Sequence, residues 1–68
     1  MKIELNGRTV DVRGDVNIAD LVEQAGAEPH ARGVAVAVDG EVVPRSAWIR
    51  TTVSPGQSVE VLEAMQGG

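Results

Sequence analysis

The 68-residue sequence predicts a single α+β domain, a mixed β-sheet packed on one helix in the order β-β-α-β-β-β. Three observations predict it. The dipeptides Asn6-Gly7 and Asp39-Gly40 each sit between extended segments and are strong signals for two-residue hairpin turns. One stretch has the apolar spacing of an amphipathic helix, from Ile18 to Ala25. After that helix, Val34-Ala35-Val36-Ala37-Val38 is apolar on both faces, as expected of an interior strand.

The first hairpin joins Lys2-Ile3-Glu4-Leu5 to Thr9-Val10-Asp11-Val12, both alternating polar and apolar. Gly14-Asp15 breaks it. Asn17 or Asp15 can then cap a helix whose apolar residues Ile18, Leu21, Val22 and Ala25 follow i, i+3, i+4, i+7. Gly26 ends that helix, and Asp20, Glu23 and Gln24 form its polar face. A loop holding Glu28, Pro29, His30 and Arg32 leads to the interior strand, which Asp39-Gly40 turns into Glu41-Val42-Val43. Pro44 ends that pairing, Ala47-Trp48-Ile49 reads as a short turn or 3₁₀ segment, and Pro55-Gly56 introduces a last strand from Val59 to about Glu63. A helical crossover lets a later strand lie parallel to the first. Residues 64–68 follow with no turn signal and are expected to form a flexible tail on the single domain 1–68. Five extended residues at about 3.4 Å each reach roughly 17 Å, enough to enter another protein's active site.

Composition excludes several function classes. Ordering a chain this short costs on the order of 100 kcal/mol, so nearly every apolar residue is needed for the core and little remains for a catalytic cavity. Ten acidic residues against six basic, one Trp and no Phe or Tyr argue against nucleic acid. The absence of Cys removes disulfides, thiolate catalysis and zinc-thiolate sites. No basic leader and no run of about 20 apolar residues is present, so no membrane association and a cytoplasmic location are expected.

Side chains capable of catalysis are equally scarce. His30 is the sole histidine, with no nucleophile and orienting partner identifiable beside it. Asp39 and Glu41 flank a hairpin turn, where Asp forms the turn and Glu faces solvent. No Gly-rich phosphate loop follows a strand, and no cluster has metal-ligand spacing, so no metal or cofactor is expected on this chain. The terminal Gly67-Gly68 points either to chemistry performed on the terminus itself or to an ordinary loose chain end. Glycine lacks Cβ and threads channels too narrow for other residues. A carboxylate of pKa roughly 3.5 resists nucleophiles, so acyl transfer from Gly68 needs prior activation, most simply as an acyl adenylate made by a partner enzyme. The chain has one lysine, Lys2, and no cysteine to attack such an activated carboxyl, a pattern that an Arg-rich, Lys-poor composition explains equally well. Strict alternation places Leu62 opposite Val59 and Val61, exposed near the adaptable Met65, either as a docking patch or as an ordinary surface leucine. Trp48, the sole aromatic, reads as a core anchor rather than a contact. Arg45 either pairs with an acidic partner or ties the Pro44 turn.

The element order with terminal Gly67-Gly68 resembles the ubiquitin-like β-grasp sulfur carriers. The segment Val43-Pro44-Arg45-Ser46-Ala47-Trp48 resembles the V-P-R-x-x-W signature of the ThiS family of thiamin biosynthesis, and the likeness spans the whole chain. The resemblance implies a carrier that is a cosubstrate and not an enzyme. It implies a ThiF-like adenylyltransferase that adenylates Gly68 with ATP and magnesium, and a cysteine desulfurase route whose sulfur replaces AMP to leave a thiocarboxylate. It further implies ThiG, the thiazole synthase, as acceptor. In that scheme Met65, Gln66 and Gly67 enter the partner's site, and Leu62 and Arg45 are docking candidates. The diglycine is shared with carriers for molybdopterin or cysteine formation and with ubiquitin-like modifiers, and a non-covalent β-grasp interaction module is a further alternative.

Overall fold

The computed structural model describes residues 1–28 and 32–64. Strands β1 (Lys2–Leu5) and β2 (Arg8–Asp11) form the first hairpin, and helix α1 spans Ile18–Gln24. Strands β3 (Val34–Val38) and β4 (Glu41–Val43) form the second hairpin, a 3₁₀ segment covers Arg45–Arg50, and β5 spans Ser58–Glu63. The sheet order is β2-β1-β5-β3-β4. β5 pairs parallel with β1 and antiparallel with β3, so the last strand is the central one. This mixed sheet grasping one helix is the ubiquitin-like β-grasp expected from the element order.

Both hairpins turn as their sequences require. Asn6 and Gly7 have φ of 51° and 80°, and Asp39 and Gly40 have 49° and 85°, the paired positive values of a turn whose twist matches the flanking strands. The helix begins at Asn17 and not at Asp15. Asp20 N donates to Asn17 Oδ1 at 2.8 Å, and Asn17 N donates back to Asp20 Oδ2 at 3.1 Å. This reciprocal cap satisfies two donors that helix geometry leaves open. It also draws Asp20 off the solvent-facing side, where the sequence pattern put it, into a half-buried position. Ile18, Leu21 and Val22 are fully buried and pack with Ile3, Val36 and Val59 of the sheet in the central core.

One expectation needs correction. β3 is an interior strand, but only the face carrying Val36 is covered; Ala35 is exposed and Ala37 half-buried. A single helix is about 10 Å wide and shields one side of a sheet, so the apolar alternation of β3 reflects a valine face turned inward and an alanine face turned out. Trp48 is buried as an anchor, and its Nε1–H donates to Val43 O at 2.9 Å. The 3₁₀ segment carrying it opens with Ala47 N donating to Pro44 O at 2.8 Å. Among the described residues no helix is long and apolar enough to cross a membrane.

Candidate functional site

Met65, Gln66, Gly67 and Gly68 lie outside the described residues, as does His30. What the structure defines is the root from which that segment departs. Ala64, assigned by sequence to the tail, is still held to the sheet, with its N–H donating to Gly33 O at 2.7 Å. β5 reaches this point from the middle of the sheet, where Val59 and Val61 face the core and are buried.

Leu62 faces the other way, 61% exposed, as alternation predicts. Register shows what surrounds it. Leu62 lies opposite Ala35, and Ala37 lies opposite both Glu60 and Val42. Residues opposite one another share a face, so Leu62, Ala35, Ala37 and Val42 make an apolar strip on the uncovered side of the sheet, bordered by Glu60. Val42 is 75% exposed. The sequence reading found Leu62 but missed Val42 and the two alanines. The signal for Ala35 and Ala37 was present in the period-2 alternation of small and branched residues along β3.

Arg45 follows β4 at the end of the sheet where β5 also finishes, since Val43 pairs with Val36 and Val36 with Val61. Its guanidinium carbon lies 4.6 Å from the centroid of the Trp48 ring, a cation–π distance. The arginine is therefore committed at least in part to the anchor that follows it, and its side chain is organised by Trp48 on the core side of the sheet.

Two further acidic groups, Asp39 and Asp11, have structural roles. Asp39 Oδ1 accepts from Ser58 N at 2.9 Å and its Oδ2 from Gln57 Nε2 at 3.1 Å, which splices the second hairpin turn to the start of β5. The Met1 ammonium donates to Asp11 Oδ1 at 3.1 Å, and this hydrogen bond and charge, with Lys2 nearby, hold the Asp11 carboxyl below its usual value. Among the described residues no three His, Cys, Asp or Glu side chains are grouped to hold a metal. A shallow groove of about 620 Å³ runs between α1 and the exposed Ile49, with Asp20, Glu23 and Glu28 on its walls. It is open to solvent and contains no nucleophile with a base beside it, so it offers no enclosed reaction site.

The sequence profile of the ThiS family matches residues 3–68. The crystal structure of the thiamine biosynthesis protein ThiS from Geobacter metallireducens is 36% identical with a TM-score of 0.75, covering 100% of this chain and 100% of that one. An NMR solution structure of a thiamine biosynthesis protein from the same organism gives 36% identity and a TM-score of 0.75 over 100% of this chain and 88% of that one. No curated protein matches significantly. With the profile spanning nearly the whole length and a full-length structural match at 36% identity, the chain belongs to the ThiS family of small sulfur carrier proteins.

Proposed function

We propose that the chain carries sulfur as a thiocarboxylate on Gly68 and delivers it for thiazole formation in thiamin biosynthesis. The observation that carries this reading is the Gly67-Gly68 pair, four residues in sequence after the central strand ends at Glu63, in a ThiS-family chain. The chemistry then belongs to the terminus and to its partners.

In the first step a ThiF-like adenylyltransferase binds ATP and magnesium, and a Gly68 carboxylate oxygen attacks the α-phosphorus with release of pyrophosphate. The acyl adenylate converts an unreactive carboxylate into an electrophile with AMP as leaving group. Sulfur from a cysteine desulfurase route, carried as a protein persulfide, attacks the acyl carbon and displaces AMP, and a thiol then reduces the resulting acyl disulfide by two electrons to leave C(O)S⁻ and a disulfide. The thiazole synthase ThiG accepts that sulfur, and hydrolytic return of the free carboxylate recycles the carrier. Met65, Gln66 and Gly67 thread the terminus into the partner's site. The strip around Leu62 docks on the partner, and Arg45 contributes separately, from the end of the sheet where β5 finishes. These partners place the protein in the cytoplasm. The chain binds no cofactor of its own.

The test is intact and C-terminal peptide mass spectrometry after incubation with ATP, a ThiF-like enzyme and a sulfur source, with thiol-selective alkylation of the product. Alkylation is needed because oxidation of Met1 or Met65 adds nearly the same mass as exchanging oxygen for sulfur. An alkylated, ATP-dependent product on Gly68 that supports thiazole synthesis is the expected result. Deleting Gly68 abolishes it. An unmodified terminus with demonstrably active enzyme overturns the proposal, and a thiocarboxylate used only by a different acceptor moves the protein to another sulfur pathway.

A further inference from the structure

β5 lies between neighbours of unequal reach. β1 ends at Leu5, whereas β5 runs on to Glu63. Along their parallel ladder Glu4 N donates to Gln57 O and Asn6 N to Val59 O, both at 2.9 Å. The next bond in such a ladder joins Val61 N to the main-chain carbonyl of residue 6. There, however, the chain enters its turn with φ 51° at Asn6. The side chain substitutes for the missing carbonyl: Val61 N donates to Asn6 Oδ1 at 2.7 Å, across 55 positions of sequence.

The opposite flank of β5 is held in a corresponding way. The antiparallel register with β3 runs to Val34 opposite Glu63, and the Ala64 N to Gly33 O bond of 2.7 Å extends it by one pair. Gly33 has φ +79°, and a Cβ placed on it lies 3.1 Å from Ala64 Cβ. A larger residue there would both strain the backbone and displace the chain at Ala64.

We propose that Asn6 is a positioning residue for the C-terminal tail, clamping the end of β5 with Gly33 so that the chain leaves the sheet in one direction. The proposal rests on the carrier reading above and adds the residues that aim the reactive end. The turn itself requires only a residue that tolerates positive φ, which Gly, Asn and Asp all supply. It does not require a side-chain oxygen. Asn6→Gly therefore keeps the hairpin and removes the acceptor, whereas Asn6→Asp keeps both. Gly33→Ala probes the other flank, but its added strain makes it the secondary variant.

Two measurements decide the matter. The first needs no partner: amide hydrogen exchange by NMR on the full chain is expected to quicken at least tenfold at Val61 in Asn6→Gly and to stay at the parent rate in Asn6→Asp. Unchanged exchange in Asn6→Gly overturns the clamp. The second is steady-state adenylation by a ThiF-like enzyme with the carrier as varied substrate. Small misplacements of a reacting group cost up to a hundredfold, and Asn6 acts at a distance from the reacting group, so kcat is expected to fall about tenfold. KM stays within twofold because the docking strip is untouched, and Asn6→Asp restores kcat. An Asn6→Gly protein that turns over within twofold of the parent, or that changes in KM alone, overturns the positioning role while the carrier reading stands. A parent protein that gains no adenylate overturns the carrier reading and the positioning role with it.

Discussion

Replacing Trp48 with Phe separates an anchor from a contact. The indole is 4% exposed, and its Nε1–H bonds to Val43 O at 2.9 Å. Phe cannot donate that hydrogen bond, whose net worth is about 1 kcal/mol. Its side chain is about 40 Å³ smaller, and at about 24 cal/mol per Å³ of unfilled cavity this adds about 1 kcal/mol. The total is about 2 kcal/mol. A domain of 68 residues at about 0.05–0.15 kcal/mol per residue holds about 3–10 kcal/mol altogether. At about 4–8 °C per kcal/mol for a domain of this size, Tm is expected to fall by about 8–16 °C. Thermal melts followed by far-UV circular dichroism measure it, since the variant lacks the sole fluorophore. Truncation to Ala, at about 3–5 kcal/mol, approaches the whole stability and is uninformative by comparison. A fall in Tm below about 3 °C refutes the anchor reasoning. So does a loss of adenylation kcat at a temperature where the variant is fully folded, because that identifies Trp48 as a partner contact.

Three further outcomes are expected. Leu62→Ala leaves Tm nearly unchanged, as its side chain is largely exposed, but raises KM for the carrier about tenfold, equivalent to about 1.4 kcal/mol, in adenylation kinetics. Asn17→Ala removes the reciprocal cap and costs about 1 kcal/mol, a fall of about 4–8 °C in Tm, and Asn17→Ser recovers most of it in the same melts. Asp11 titrates below the ordinary value of 3.8 because the Met1 ammonium bonds to its carboxylate, so its contribution to stability is present above that pH and is lost as pH falls through the folded value. The stability difference between the parent and Asp11→Asn in urea unfolding therefore narrows on acidification, and an Asp11 midpoint at or above 3.8 by NMR titration sinks this account.

The local elements were legible because their causes are local. Asn6-Gly7 and Asp39-Gly40 specify their turns through two residues' backbone preferences, and α1 follows from an apolar stripe with a capping Asn17. The choice between Asn17 and Asp15 as cap was not decided by pattern. It follows from Asp20 lying three residues after Asn17 and bonding back to it, and from the bond of Ile18 N to Thr51 O, a residue distant in sequence. The interior position of β3 was legible too, but not which of its faces is covered. That depends on one helix having only one sheet face to cover.

The sequence by itself determined an α+β domain, through turn dipeptides and helix spacing, and it is the source of the proposal that the chemistry falls on Gly67-Gly68. Only the tertiary structure placed β5 at the centre of the sheet, joined Leu62 to Ala35, Ala37 and Val42 in one open strip, and put Asn6 and Gly33 on either side of the tail's root. The physical reason is range. Turn and helix preferences act over a few residues, whereas the bond from Val61 to Asn6 spans 55 and exists only once the two ends of the chain lie side by side.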